Sequence, residues 1–269
     1  MPDLWTHYFF AKQVKYEQQL KITQSDIYYL GAQGPDFLFY QAFEPWKKDK
    51  SGTDVGELFH QVKTDQLLPY VFEKRQTATG ELANYLTGFL THYALDSTVH
   101  PMIHRLAEDF RAHKELEMAL DMKLYRERRS GQSIRSASVK GEIAKKRQLP
   151  DPIAQFYVDL ARDVFETEID LELFKESYRD FRRFHSWTSL SSPLKHRLIE
   201  QALKRFAPDY AFYFHGDYVS QLPIDDEVWE EYLDRFWQAR QVFSSLNRSE
   251  LPAEVVNFSG YSLEMEPAE

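Results

Sequence analysis

An all-α, multi-helix bundle of eight to ten helices is the architecture this chain predicts. Three observations carry that expectation. Apolar residues recur at helical spacing in segment after segment, as in Phe9, Phe10 and Val14 near the start and Trp229, Tyr232, Phe236 and Trp237 near the end. Alternating apolar and polar runs, the mark of half-buried strands, are scarce. The 269 residues are 43% hydrophobic and 15% aromatic, enough to bury one sizeable core. The expected organisation is a single helical domain over residues 1–245 and an irregular tail over 246–269.

The elements follow in order. Residues 5–20 read as a helix, with His7 near its start as either an exposed histidine or a metal ligand. Ser25 is placed to cap a short helix that Gly31 ends. The stretch GAQGPDFLFY then turns at its glycines and Pro35. It delivers Asp36 to a loop-to-element junction, as a helix cap, a metal carboxylate or a general base. Asp54, with Glu57 three residues on, reads as a capping box opening the next helix, whose apolar side is Leu58, Val62 and Leu67. His60 lies in that helix. A central helix is expected over 80–99, kinked or ended by Pro101, and another over 105–129, stopped by Gly131. Residues 126–150 are rich in Arg, Lys and Ser and read as an exposed basic loop, or as a mobile lid over a phosphate. Asp151-Pro152 starts a further helix, and more are expected over 169–184, 192–206 and 225–244. His185 and His196 lack an acidic partner at helical spacing and read as structural; His215-Gly-Asp217 is a weak loop motif.

The densest chemistry sits in GFLTHYALDSTVHPMIHRLAEDFRAHKELEMALD, residues 88–121. His92, Asp96 and His100 are spaced four and four, which puts them on roughly one face of a helix. Phe89 and Tyr85 extend that stripe, so the face is apolar and buried. A buried carboxylate is costly unless paired or coordinated. Residues four apart rise about 6 Å and can share an ion, whereas residues eight apart rise about 12 Å. His92 and Asp96 therefore serve one ion and His100 a second, with Asp96 between. His113 and Glu117 repeat the spacing and complete the second site, while Glu108, Asp109 and Lys114 read as a solvated face. His104 is the rival to His100, which is preferred because it continues the four-residue step. With histidine and carboxylate donors, zinc is the expected metal, with iron or manganese as the alternatives. The Glu-x-x-His pairs of a helical diiron protein form no convincing set here.

Composition bounds the alternatives. The chain has no cysteine, so neither a disulfide nor a thiolate metal site is available. The formal net charge is −9, which disfavours a general nucleic-acid or anionic-membrane binder. The start, MPDLWTHYFFAKQV, lacks a basic n-region and a continuous apolar run, and no segment reaches the roughly 18 apolar residues of a transmembrane span. The expected compartment is cytoplasmic; the oligomeric state is open.

HYALDSTVHPMIH followed by HKELE resembles the zinc-dependent phospholipase C family, whose all-helical fold is shared with the fungal zinc nucleases. The GAQGPDFLFY loop is similar to that family's N-terminal carboxylate loop. The resemblance covers about the first 120 residues. It implies that Asp36, His60, His92 and Asp96 hold one zinc, and that His100, His113 and Glu117 hold a second. Asp96 would bridge towards a third ion, which His7 would help to bind, so two or three Zn2+ ions are implied, with Asp36 as general base. The implied partner is a phospholipid head group or small phosphoester, hydrolysed by a metal-activated water. A nuclease on the same scaffold, or a non-catalytic metal-stabilised module, is the alternative. Two departures stand out. The secreted members use a mature N-terminal tryptophan on the third zinc, whereas Trp5 is internal here; and His100 precedes Pro101-Met102 instead of following it.

Overall fold

A computed structural model describes residues 4–44, 46–132, 137–188, 193–206 and 224–263. His215 and Asp217, and the side chain of His196, lie outside the described residues. Among those residues the chain forms eleven α-helices and one 3-10 turn, Asp36–Tyr40. No strand is present among them; an isolated antiparallel bridge joins Val256 and Ser262. No helix is long and apolar enough to cross a membrane among the residues described. The all-α expectation holds.

The helices are α1 (Leu4–Glu17), α2 (Ser25–Gly31), α3 (Ser51–Gln61), α4 (Thr64–Thr77), α5 (Gly80–Leu106), α6 (Phe110–Arg128), α7 (Val139–Glu142), α8 (Asp151–Asp163), α9 (Leu171–Trp187), α10 (Pro193–Phe206) and α11 (Asp226–Asn247). The 27-residue α5 runs through the middle, about 40 Å long at 1.5 Å per residue. It is buried on nearly every side from Asn84 to Ile103, as a helix apolar all round must be. Helices α1, α2, α4, α6, α8 and α11 pack on it. The α2–α5 crossing is close enough that only glycine fits. A Cβ on Gly88 would lie 2.1 Å from the Tyr28 carbonyl oxygen, and one on Gly31 would lie 2.1 Å from that of Tyr85.

Several local expectations are corrected. Pro101 does not end the central helix, which continues to Leu106. Proline frees only the Ser97 carbonyl, and Gly260 of the C-terminal segment packs against that carbonyl and the Pro101 ring. The following helix starts at Phe110 because Asp109 caps it, its Oδ1 accepting from the Ala112 amide at 2.8 Å. Asp109 is thus a cap, not part of a plain solvated face. The helix expected from Asp54 starts a turn earlier, at Ser51. It then breaks at Val62–Lys63, where Lys63 adopts φ +55° and α4 begins. Val62 is consequently exposed. Ser25 does not cap α2 with its side chain; its Oγ accepts from Lys15 Nζ at 2.6 Å. Trp237 is 54% exposed because it sits one residue, about 100°, round from the buried Phe236, and it packs on the Arg240 guanidinium.

The described part of 126–150 makes contacts with the bundle. Arg129 pairs with Glu142, and Ile143 and Ala144 are buried. The carbonyls of Ala144 and Lys146 accept from Arg182 and Tyr178 of α9. These contacts hold the basic stretch against the bundle.

The α2–α5 crossing is directly testable. Gly88→Ala is expected to lower the unfolding free energy by about 3 kcal/mol, because the clashing atom is backbone and cannot rotate away. Urea denaturation followed by circular dichroism measures this; an unchanged midpoint would contradict the close crossing.

Candidate metal centre

The stripe on α5 is buried. His92 and Asp96 are wholly buried and His100 nearly so. Asp36 reaches the same place from the first position of the 3-10 turn, after the glycine loop. Gly34 holds φ +51° there, and a Cβ on it would lie 2.1 Å from the His92 ring. The turn is fixed by Tyr85, whose hydroxyl donates to the Gly34 carbonyl at 2.9 Å and meets Tyr157 Oη at 2.7 Å. His60 arrives from the last turn of α3, its Nδ1 2.6 Å from the Gly56 carbonyl. A carbonyl only accepts, so Nδ1 carries the proton and the Nε2 lone pair faces inward.

Four donors converge in this first group: Asp36, His60, His92 and Asp96. His60 Nε2 is 3.1 Å from Asp36 Oδ1 and 3.4 Å from His92 Nε2. His92 Nε2 is 3.3 Å from Asp96 Oδ2 and 3.5 Å from Asp36 Oδ1. A tetrahedron with zinc–ligand bonds of 2.0–2.1 Å has edges of about 3.3 Å. The donor set and its spacing therefore fit a zinc ion. Both Asp96 carboxylate oxygens are buried with no aligned hydrogen bond. Buried polar groups ordinarily find a partner, and a cation in this group is one.

The second group is His100, His113 and Glu117. Glu117 Oε1 lies 2.9 Å from His113 Nε2 and 3.5 Å from His100 Nε2. Three protein donors leave a position open, as catalytic zinc sites do. His7 lies beside the first group, its Nε2 3.1 Å from Asp96 Oδ1. Among the described residues only this pair marks a third position. His104 stands next to His113, ring centroids 4.8 Å apart, but outside both groups.

Electrostatics favour the ligand forms. Burial pushes the His92 imidazole down to about 4, against the pull of Asp96 and Asp36, so it is neutral near pH 7. Burial works to raise Glu117, but Lys114 and its histidine neighbours hold it well below the usual carboxylate range. The same holds for Asp96, where His92, His100 and His7 outweigh burial.

Beyond the donors lies a cleft of about 820 Å3. His60, His100, His113 and Glu117 line it, whereas His92, Asp96 and His7 do not. One wall is aromatic, from Phe39, Tyr40, Phe43 and Phe184; the cations Lys50 and Lys114 also face it. Three participants escaped the sequence reading. Lys114 read as part of a solvated face, yet its Nζ is 2.7 Å from Glu117 Oε2; its place between His113 and Glu117 was the available signal. His185 read as merely structural, yet it lines the cleft. Phe258 carried no signal at all, and it packs on the His60 and His92 rings with centroids 4.9 and 5.7 Å away.

An all-helical bundle with clustered histidine and carboxylate donors above an open cleft defines a class of helical metal-binding proteins. The model of the zinc-dependent phospholipase C family matches residues 6–167, and the chain belongs to that family. No curated protein and no solved structure matches it. Helices α9 to α11 and the C-terminal segment lie beyond the matched stretch.

Elemental analysis by mass spectrometry tests the donor groups. The purified protein is expected to carry at least two zinc ions per chain, and Asp96→Ala to lose most of the metal. One ion or none, unaffected by the substitution, would mean that the α5 stripe is only a packed core.

Proposed function

We propose that this protein is a zinc-dependent phosphoesterase of the phospholipase C type, hydrolysing the phosphoester of a phospholipid head group or a similar small molecule. The observation that carries this reading is that every donor of the second group lines an open cleft, which the first group meets through His60. A metal used only for structure would be closed on all sides by protein ligands. Here the three-donor group His100, His113 and Glu117 faces the 820 Å3 space.

Zinc bound at these donors supplies Lewis acidity at a phosphoryl oxygen and brings the pKa of a coordinated water towards neutrality. The chain's own residues do the rest. Asp36, 3.1 Å from the Nε2 of the cleft-lining His60 and less buried than Asp96, is the carboxylate of its group that would take a proton from the attacking water. As the water oxygen bonds to phosphorus, the ester P–O bond breaks and the leaving oxygen takes up a proton. Lys114 and Lys50 offer ammonium groups to the phosphoryl oxygens. Phe39, Phe43 and Phe184 exclude water and accept the apolar part of the ester. His104, pushed down to about 4 by burial and by His100 and His113, is neutral near pH 7 and adds no positive charge.

A nuclease reading is weaker on this geometry. Glu57, Glu108 and Asp109 line the cleft, and the chain carries −9 overall; both repel a polyanionic backbone.

Activity should vanish on dialysis against a chelator and return with zinc. Asp36→Asn keeps an oxygen for the metal but cannot take a proton. It is expected to lower kcat by about 100-fold with zinc content retained. A phosphodiester bearing an apolar group should be cleaved faster than a nucleic acid. Turnover of monomeric soluble esters with none at a lipid interface would remove the phospholipid assignment while leaving the phosphoesterase standing.

A further inference from the structure

Residues 248–263, described after α11, form no helix, yet they return to the metal centre. Arg75 holds the end of α11 through the Asn247 carbonyl at 2.6 Å. Nine residues later the Val256 carbonyl accepts from Tyr93 Oη of α5 at 2.9 Å. A tight loop then closes on itself. The Asn257 amide donates to the Tyr261 carbonyl at 2.8 Å, and the Tyr261 amide donates to Asn257 Oδ1 at 2.9 Å. At its tip Gly260 holds φ +77°, and a Cβ there would lie 2.4 Å from Pro101 Cγ.

Phe258, at 0% exposure, is the centre of this loop. Its amide donates to the His60 carbonyl at 3.1 Å, at the last turn of α3. Its carbonyl accepts from His100 Nδ1 at 2.9 Å, on α5. Its ring fills the space between His60, His92, Phe89 and Tyr93. One residue thus touches both donor groups, through backbone on one side and backbone to imidazole on the other. A carbonyl can only accept, so the contact places the His100 proton on Nδ1 and leaves Nε2 free towards Glu117. Outer partners of this kind set the tautomer and aim of a ligating histidine.

We infer that residues 256–262 form a strap, centred on Phe258, that positions His100 and His60 and thereby completes the two donor groups. The inference rests on the metal reading given above. It assigns to a segment outside the family-matched stretch the coupling between the two groups. Phe258 is a positioning residue: it meets neither metal nor substrate, and acts through the two histidines.

The test uses the full-length chain with zinc as the probe. Gly260→Val cannot hold the tip against Pro101 and lifts the strap without touching a donor. Zinc affinity is read by chelator competition, and the His100 tautomer by histidine 15N–1H correlation spectra. Gly260→Val and Phe258→Ala are expected to bind the weaker zinc about 10- to 100-fold less tightly, with loss of the His100 Nδ1–H signature and unchanged far-ultraviolet circular dichroism. Phe258→Leu, which keeps most of the buried volume that seats the loop and so its backbone contacts, should restore both. Unchanged zinc affinity and an unchanged tautomer in the first two variants would overturn the strap. If Gly260→Val fails to fold, the Phe258→Ala and Phe258→Leu pair decides alone, equal zinc affinity in the two overturning the strap. Fewer than two zinc ions in the wild-type protein is a distinct result: it removes the metal reading, and the strap with it.

Discussion

A carboxylate sits in the middle of the longest helix, shut off from water. Asp96 is at 0% exposure, and its two oxygens have no aligned hydrogen bond. Removing an ionised group from water costs several kcal/mol even after relaxation. The surrounding structure is arranged so that this cost is met by cation-binding donors instead of by water. His92 comes from the same helix, His7 from α1, and His60 and Asp36 close in from α3 and the 3-10 turn. Each of those elements must be held in register for the donors to converge. The glycine crossing of α2 and α5 and the Tyr85 clamp on the Gly34 turn serve that end.

Burial divides the centre into two halves with different chemical prospects. His7, His92 and Asp96 do not line the cleft, and burial there keeps the His92 imidazole neutral. His100, His113 and Glu117 face an open space, beside an ammonium and an aromatic wall. Low dielectric strengthens electrostatic contacts on the buried side. Access to solvent is available on the open side. A centre built for stability alone would have no reason to keep the second half open, and a centre on the surface would lose the first.

The central stretch of the chain was unusually readable. His92, Asp96 and His100 are four residues apart, and helix geometry converts that spacing into a common face without help from the rest of the molecule. The same holds for His113 and Glu117 on α6. All-α class followed from periodicity, since amphipathic helices announce their buried face in the order of their residues. Boundaries were less legible. Pro101 would be expected to end or kink an isolated helix, yet α5 runs through it to Leu106, with Gly260 packed against the freed turn. Lys63 breaks the segment 51–77 with a left-handed backbone that no local propensity demanded.

By itself, the sequence determined the helical class, the stripe of donors on α5 and the chemical identity of the groups that could bind a metal, because each of these depends on neighbours within a few residues. Only the tertiary structure decided which donors share a site and which face water. Asp36 meets His60 from 24 residues away, and His7 meets Asp96 across 89. Phe258 reaches His100 from a separation of 158, out of a segment that reads as an irregular tail. Lys114 turns to Glu117 and the cleft because α6 presents that side to the site. Contacts between distant segments are set by how the helices pack, and packing depends on the whole set of apolar faces at once; no window of sequence contains it.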